Sequence, residues 1–235
     1  MAKFKILSAL TLVMVMASMA TAEWVPLPGD PVSIEDIGEQ PFIVGDKVFT
    51  DFEVFGISAG GALPPDAGSI FVLGGMDSET EDYGIKLTLG WEADQNQSVN
   101  VRLRFKVSIM DDAAYDDYYI KAVWAELVDP AAAGSGLVAA SETVLDGPVP
   151  GGDLLASLEL SYQENDGGAN MVDHEVFEPV REVWITKDIG ISGGSADGGS
   201  ASLSGLIQYY SQIPEPMTLS LLAVGALPLL RRRKG

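Results

Sequence analysis

Cysteine is absent from this 235-residue chain, and histidine occurs once, as His174. The first absence removes disulfides, thiolate nucleophiles and Cys-ligated metals. The second removes multi-histidine metal sites and leaves one imidazole for acid–base work. Positive charge is scarce as well: 14 Lys+Arg face 34 Asp+Glu, for a net charge of −20 and a sequence pI of about 4.1. Such acidity argues against nucleic acid as a partner, because phosphate contacts need clustered Lys and Arg. Neither a nucleophile elbow nor a Ser-x-x-Lys pair is expected to serve a hydrolase here, so the chain reads as a non-enzyme. The hydrophobic fraction of 47% is nevertheless too high for a disordered chain, and a packed core is expected.

The few cations crowd the two ends. Lys3, Lys5, Arg231, Arg232, Arg233 and Lys234 are six of the 14, so residues 23–212 keep eight basic residues against 33 acidic ones. Residues 1–22 have the three parts of a secretory signal: two lysines, an apolar run from Ile6 to Met19, and Ala20 and Ala22 where a signal peptidase reads small residues. Cleavage is expected between Ala22 and Glu23. At the other end, Pro214-Glu215-Pro216 precedes 14 uncharged residues, Met217–Leu230, and then the basic cluster 231–234. At ~1.5 Å per residue that helix spans about 21 Å, short of the ~30 Å hydrocarbon core. Such a length suits a tail that pauses in the inner membrane while an enzyme cuts beside it. The basic cluster stays cytoplasmic and leaves the domain outside. Pro216 suits a first helical turn, Pro214 keeps the preceding chain extended, and Glu215 marks the bilayer edge.

These four ordered features, in a chain that also begins with a signal peptide, resemble the PEP-CTERM sorting signal, a tail also known as the ice-binding protein C-terminal domain. The second label implies no ice binding. The resemblance covers about 22 residues, the 213–235 tail. It implies Gram-negative exopolysaccharide-producing bacteria and an exosortase that cleaves near Pro214, Glu215 and Pro216. The exported domain would then be released or re-anchored at the cell surface or in the extracellular matrix.

Between the addresses the chain alternates. Val99, Val101, Leu103, Phe105, Val107 and Ile109 are interleaved with polar residues, a period that only a strand can present as one face. Ile85, Leu87, Leu89 and Trp91 alternate likewise, and Val48, Thr50, Phe52 and Val54 are expected on one side of another strand. Further strands are expected over 69–73, 119–128, 136–145, 154–162, 176–186 and 201–210, separated by Gly/Pro/Asp turns. The fold class expected is all-β: a single antiparallel β-sandwich of jelly-roll or Ig-like type over 41–212, preceded by an extended leader over 23–40, with a closed barrel as the competing architecture. Phe42–Val54 and Val183–Ile189 resemble motifs that recur in PEP-CTERM precursors. Their Lys-Asp pairs read as strand-end charges, and the class carries no activity over to this chain.

Candidate sites inside the domain are few. Asp77, Glu79, Glu81 and Asp82, with Asp111 and Asp112, gather carboxylates of the kind that hold Ca²⁺, the one cofactor considered. EF-hand spacing fails, because position 6 from Asp77 is Asp82 where Gly is required and position 12 is Thr88 where Glu is required. A solvated acidic loop is the plainer reading. His174 between Asp173 and Glu175 reads as a surface residue; Trp91, Trp124, Tyr115, Tyr118 and Tyr119 suit a sugar-stacking platform but read first as core. The expected function is therefore an exported cell-surface or matrix protein whose processing partners are signal peptidase and exosortase. The alternative is a carbohydrate- or Ca²⁺-binding module of the exopolysaccharide.

Overall fold

The computed structural model describes residues 23–214 apart from 39, 64, 165–168 and 196–197. The signal segment and the tail from Glu215 onward lie outside the described residues.

Two antiparallel sheets face each other across one core. The first runs β1 (Trp24–Pro26), β5 (Phe71–Asp77), β6 (Tyr83–Asp94), β13 (Ser200–Pro214), β8 (Tyr118–Ala133), β11 (Val172–Val180), with β2 (Val32–Ser33) also pairing β5. The second runs β10 (Leu154–Tyr162), β9 (Leu137–Leu145), β12 (Glu182–Ser192), β7 (Ser98–Ile109), β4 (Lys47–Ala59), β3 (Phe42–Val44). Each sheet ends at its own edge strands, so the two-sheet arrangement, not the closed barrel, describes this region. Among the described residues no helix is long and apolar enough to cross a membrane.

β7 follows its sequence pattern throughout: Val99, Val101, Leu103, Phe105, Val107 and Ile109 are all buried, and β6 buries Ile85, Leu87, Leu89 and Trp91 as expected. β4 does not. Phe49, not Val48 or Thr50, enters the core, and beyond Thr50 the inward residues are Phe52 and Val54. The cause is a bulge: Thr50 pairs Lys106 and Glu53 pairs Arg104, so β4 carries one residue more than β7 over this interval. Asp51 sits there with a left-handed φ of 59°. The extra residue reverses the parity, turning Asp51 and Glu53 outward and Phe52 and Val54 inward. Phe52 then stacks on Phe105 with ring centroids 5.3 Å apart.

Two further expectations change. The single strand over 176–186 is two, β11 and β12, which turn at Arg181 and belong to opposite sheets. The leader over 23–40 is extended at β1 and β2 but is part of the fold. Ser33 caps a one-turn helix, α1 (Ile34–Ile37), whose Ile34 and Ile37 are buried. Trp24 packs on Tyr209, ring centroids 5.7 Å apart, so the inner strand β13 is covered on both faces.

Candidate functional site

The outer face of the six-stranded sheet carries three of the eight basic residues of the 23–212 segment. Because Val101, Leu103, Phe105 and Val107 point inward, Arg102, Arg104 and Lys106 must point outward along β7. Neighbouring strands supply a carboxylate for each. Arg102 holds Asp188 of β12 in a two-pronged contact, Nε to Oδ1 at 2.8 Å and Nη2 to Oδ2 at 3.2 Å. Arg104 reaches Glu53 at 3.9 Å and Lys106 reaches Asp51 at 3.6 Å, both on β4 beyond or at the bulge. Aromatic rings lie between: Arg104 stands 5.9 Å over the Phe55 ring and Lys106 5.6 Å over Trp184. Phe55 is 52% and Ile57 72% exposed, an unusual amount of apolar surface beside paired charges. With Asn100, Arg102, Arg104 and Asp188 they line an open depression of about 370 Å³. Its donors, acceptors and ring faces are suited to hydroxylated or carboxylated rings, and no nucleophile or general acid–base pair is gathered there.

A second constellation lies between the sheets, formed by the two lysines read from sequence as strand-end charges. That expectation is corrected: Lys47 is 0% and Lys187 1% exposed. Lys187 of β12 donates to Glu142 of β9, and the Gln208 amide of β13 donates to the same carboxylate. Lys47 donates to Asp46 at 2.8 and 3.0 Å and to the Oε1 of Gln212 at 2.8 Å. Gln208, Tyr210 and Gln212 alternate along β13, so one strand reaches Lys47 directly and Lys187 through Glu142. Desolvation lowers the pKa of each lysine, and the adjacent carboxylate only partly opposes it. Burial likewise raises the Tyr210 hydroxyl, whose ring packs edge-on against Phe49 at 5.7 Å. Asp46 is delivered by the β3–β4 turn, in which Gly45 has φ 59° and an added Cβ would overlap the Tyr83 ring.

The burial of both lysines was legible by parity: Lys187 alternates with Val183, Ile185 and Ile189, and Lys47 with Phe49. The glutamine partner of Lys47 is 165 residues away, a separation that no local pattern reveals.

The other sequence candidates fall as follows. Asp77 is turned inward at 5% exposure, and its Oδ1 accepts the N–H groups of Glu79 and Thr80 at 2.7 and 3.3 Å. Asp82 accepts from Ser211, Glu79 and Glu81 are exposed, and Asp112 accepts the Ala114 N–H at 2.9 Å beside exposed Asp111. Among the described residues no three acidic or histidine side chains converge as a metal site. His174 is a surface residue of β11 stacked on Trp124, centroids 5.4 Å apart. Trp91 is buried in the core, while Tyr115 and Tyr118 are half-buried and pack edge to face at 5.9 Å. Two strings do match the nucleophile-elbow pattern, Gly56–Gly60 and Gly190–Gly194, but neither is a strand-to-helix turn. Ser58 lies within β4 and donates to the Ala62 carbonyl; Ser192 ends β12 and accepts from the Gly194 N–H. Of the sorting residues, Pro214 is the last residue of β13 and pairs with Tyr118. Glu215, Pro216, Arg231, Arg232 and Arg233, with Ala20 and Ala22 of the signal, lie outside the described residues. No family model matches this chain, and no curated protein matches it.

Proposed function

We propose that the chain is the precursor of a non-enzymatic exported protein, addressed by its signal segment and processed at its PEP-CTERM-like tail by an exosortase. The reading rests on the ordered series Pro214-Glu215-Pro216, apolar Met217–Leu230 and basic 231–234 at the C-terminus. The fold supports it in one respect. Pro214, the first residue of the tripeptide, pairs with Tyr118 within β13, so the recognition tripeptide starts on the folded domain itself. A cut after Pro214 keeps every described strand of the jelly-roll-like sandwich and would deliver that domain to the cell surface or matrix. The test is to replace Pro214 and Glu215 with alanine in the natural host and follow the C-terminal peptide by mass spectrometry. Loss of the processed terminus is expected; cleavage at an unchanged bond refutes the sorting role.

A second reading concerns what the delivered domain does. The Arg102–Asp188 pair beside exposed Phe55 favours polysaccharide binding on the outer face of the six-stranded sheet. Arginine and carboxylate together donate to and accept from sugar hydroxyls, and the ring offers a stacking face. An array of neutral and uronic-acid oligosaccharides tests it. Binding that falls at least tenfold in Arg102→Ala is expected, and a blank array leaves the structural role alone.

A further inference from the structure

A buried lysine held against a side-chain amide and a carboxylate is a reactive grouping as well as a structural one. Lys47 is wholly buried, and its Nζ lies 2.8 Å from the Gln212 Oε1 and 2.8 and 3.0 Å from the two oxygens of Asp46. Reacting atoms in a near-attack arrangement are about 3–3.5 Å apart, and an amine hydrogen-bonded to an amide oxygen lies one C=O bond from the carbon it would attack. Rotation about the last torsion of Gln212, broad for a terminal amide, leaves Cδ in place and turns the face of the amide toward Nζ. Water does not compete at Lys47 or at Asp46, which is 1% exposed. Gln212 is only partly buried, which leaves a departing group a route to solvent.

From this geometry we infer that Lys47 and Gln212 form an intramolecular isopeptide crosslink, with Asp46 carrying the proton. Lys47 first passes a proton to the Asp46 carboxylate. Its neutral Nζ attacks Cδ of Gln212, forming the new C–N bond, and the tetrahedral centre collapses with rupture of the Cδ–Nε2 bond. The departing nitrogen receives the proton held by Asp46 and the surplus proton of Nζ. An ammonium ion leaves, Asp46 is again a carboxylate, and nothing is oxidised or reduced. Desolvation favours the neutral amine that this attack requires.

The placement gives the bond a purpose. It would tie β4 of one sheet to β13 of the other, across a sequence separation of 165 residues. In a chain without cysteine it takes the place of a disulfide between the sheets, two residues before β13 ends. The other interior lysine is arranged differently: Lys187 donates to Glu142, which also takes the Gln208 amide, so the carboxylate stands between amine and amide.

The experiment is peptide mapping of the purified, folded full chain. The segments carrying Lys47 and Gln212 are expected as one linked species, lighter than their sum by about 17 Da, the mass of the ammonia expelled by the lysine nucleophile. Asp46→Asn is expected to slow its formation about 100-fold or more, as removal of a general acid–base group does. Gln212→Leu should abolish it. Recovery of both wild-type segments unlinked and at full mass overturns the proposal, and so does a linkage at Lys187 in their place. Should the variants fail to fold, the wild-type map alone decides. Unchanged linkage in a folded Asp46→Asn protein refutes the proton-carrying role of Asp46.

Discussion

Replacing Glu142 with leucine removes the one acceptor shared by two buried donors. Glu142 is 3% exposed, Lys187 1% and Gln208 0%, so neither donor can turn to water when the carboxylate goes. Breaking one partner of a buried pair costs about 3–5 kcal/mol, which in a domain of this size lowers the melting temperature by roughly 6–20 °C. Lys187 has one escape, which is to shed its proton. Burial already lowers its pKa from 10.5, and losing Glu142 removes the interaction that opposed the shift. The unfolded chain keeps that proton until about pH 10.5, so between the folded and unfolded values the unfolded state binds more protons and stability rises with pH. The slope cannot exceed about 1.36 kcal/mol per pH unit for one proton. Glu142→Leu should therefore gain stability as the pH rises toward 10.5. Lys187→Met added to Glu142→Leu removes the charge altogether. That double variant should lie within about 2 kcal/mol of wild type, the remaining cost being the Gln208 amide without its acceptor. Urea unfolding at several pH values, followed by tryptophan fluorescence, measures wild type, Glu142→Leu, Lys187→Met and the double variant. A loss under about 1 kcal/mol in the single variant, or strictly additive effects in the double, would show that the pair is not the buried unit described.

Two other perturbations separate interior from surface. Deleting Asp51 removes the bulge but places Phe52 directly after Thr50, so Phe52 and Val54 stay inward and the protein should still melt cooperatively. Deleting Phe52 instead puts Asp51 at the inward position and should leave no soluble protein with a cooperative melt. Asp51→Gly keeps the left-handed conformation and should also fold; a Phe52 deletion melting like wild type refutes the parity argument. Arg102→Ala should change stability by no more than about 1 kcal/mol, because its ion pair with Asp188 is roughly half exposed, while any polysaccharide affinity of the same face drops; a large fall in melting temperature would make the pair structural instead.

Much of the fold was legible because one-sided burial writes itself into a strand as strict alternation. β7 and β6 could be read residue by residue, and the β9 and β10 boundaries lay within one residue of expectation. The errors arose where that period is interrupted. An extra residue at Asp51 inverted the reading of β4, and an unbroken polar-apolar texture across Arg181 hid the passage from one sheet to the other. Lys47 and Lys187 misled for a different reason: charge suggests solvent, whereas both alternate with buried residues, and parity was the better guide.

The division of labour between chain and fold follows from range. Composition, the clustering of cations at the two ends and the period of two are local properties, so the linear chain alone determined an all-β, acidic domain between basic ends and without cysteine chemistry. Which strands are neighbours depends on pairings between distant residues, and only the tertiary structure decided those. It brought Asp188 and Phe55 to either side of β7, and it set Gln212 against Lys47 and Gln208 against the carboxylate of Glu142. Burial then changed the chemistry of groups that in isolation are ordinary surface side chains, because a lysine out of water must find a carboxylate, an amide or a neutral form.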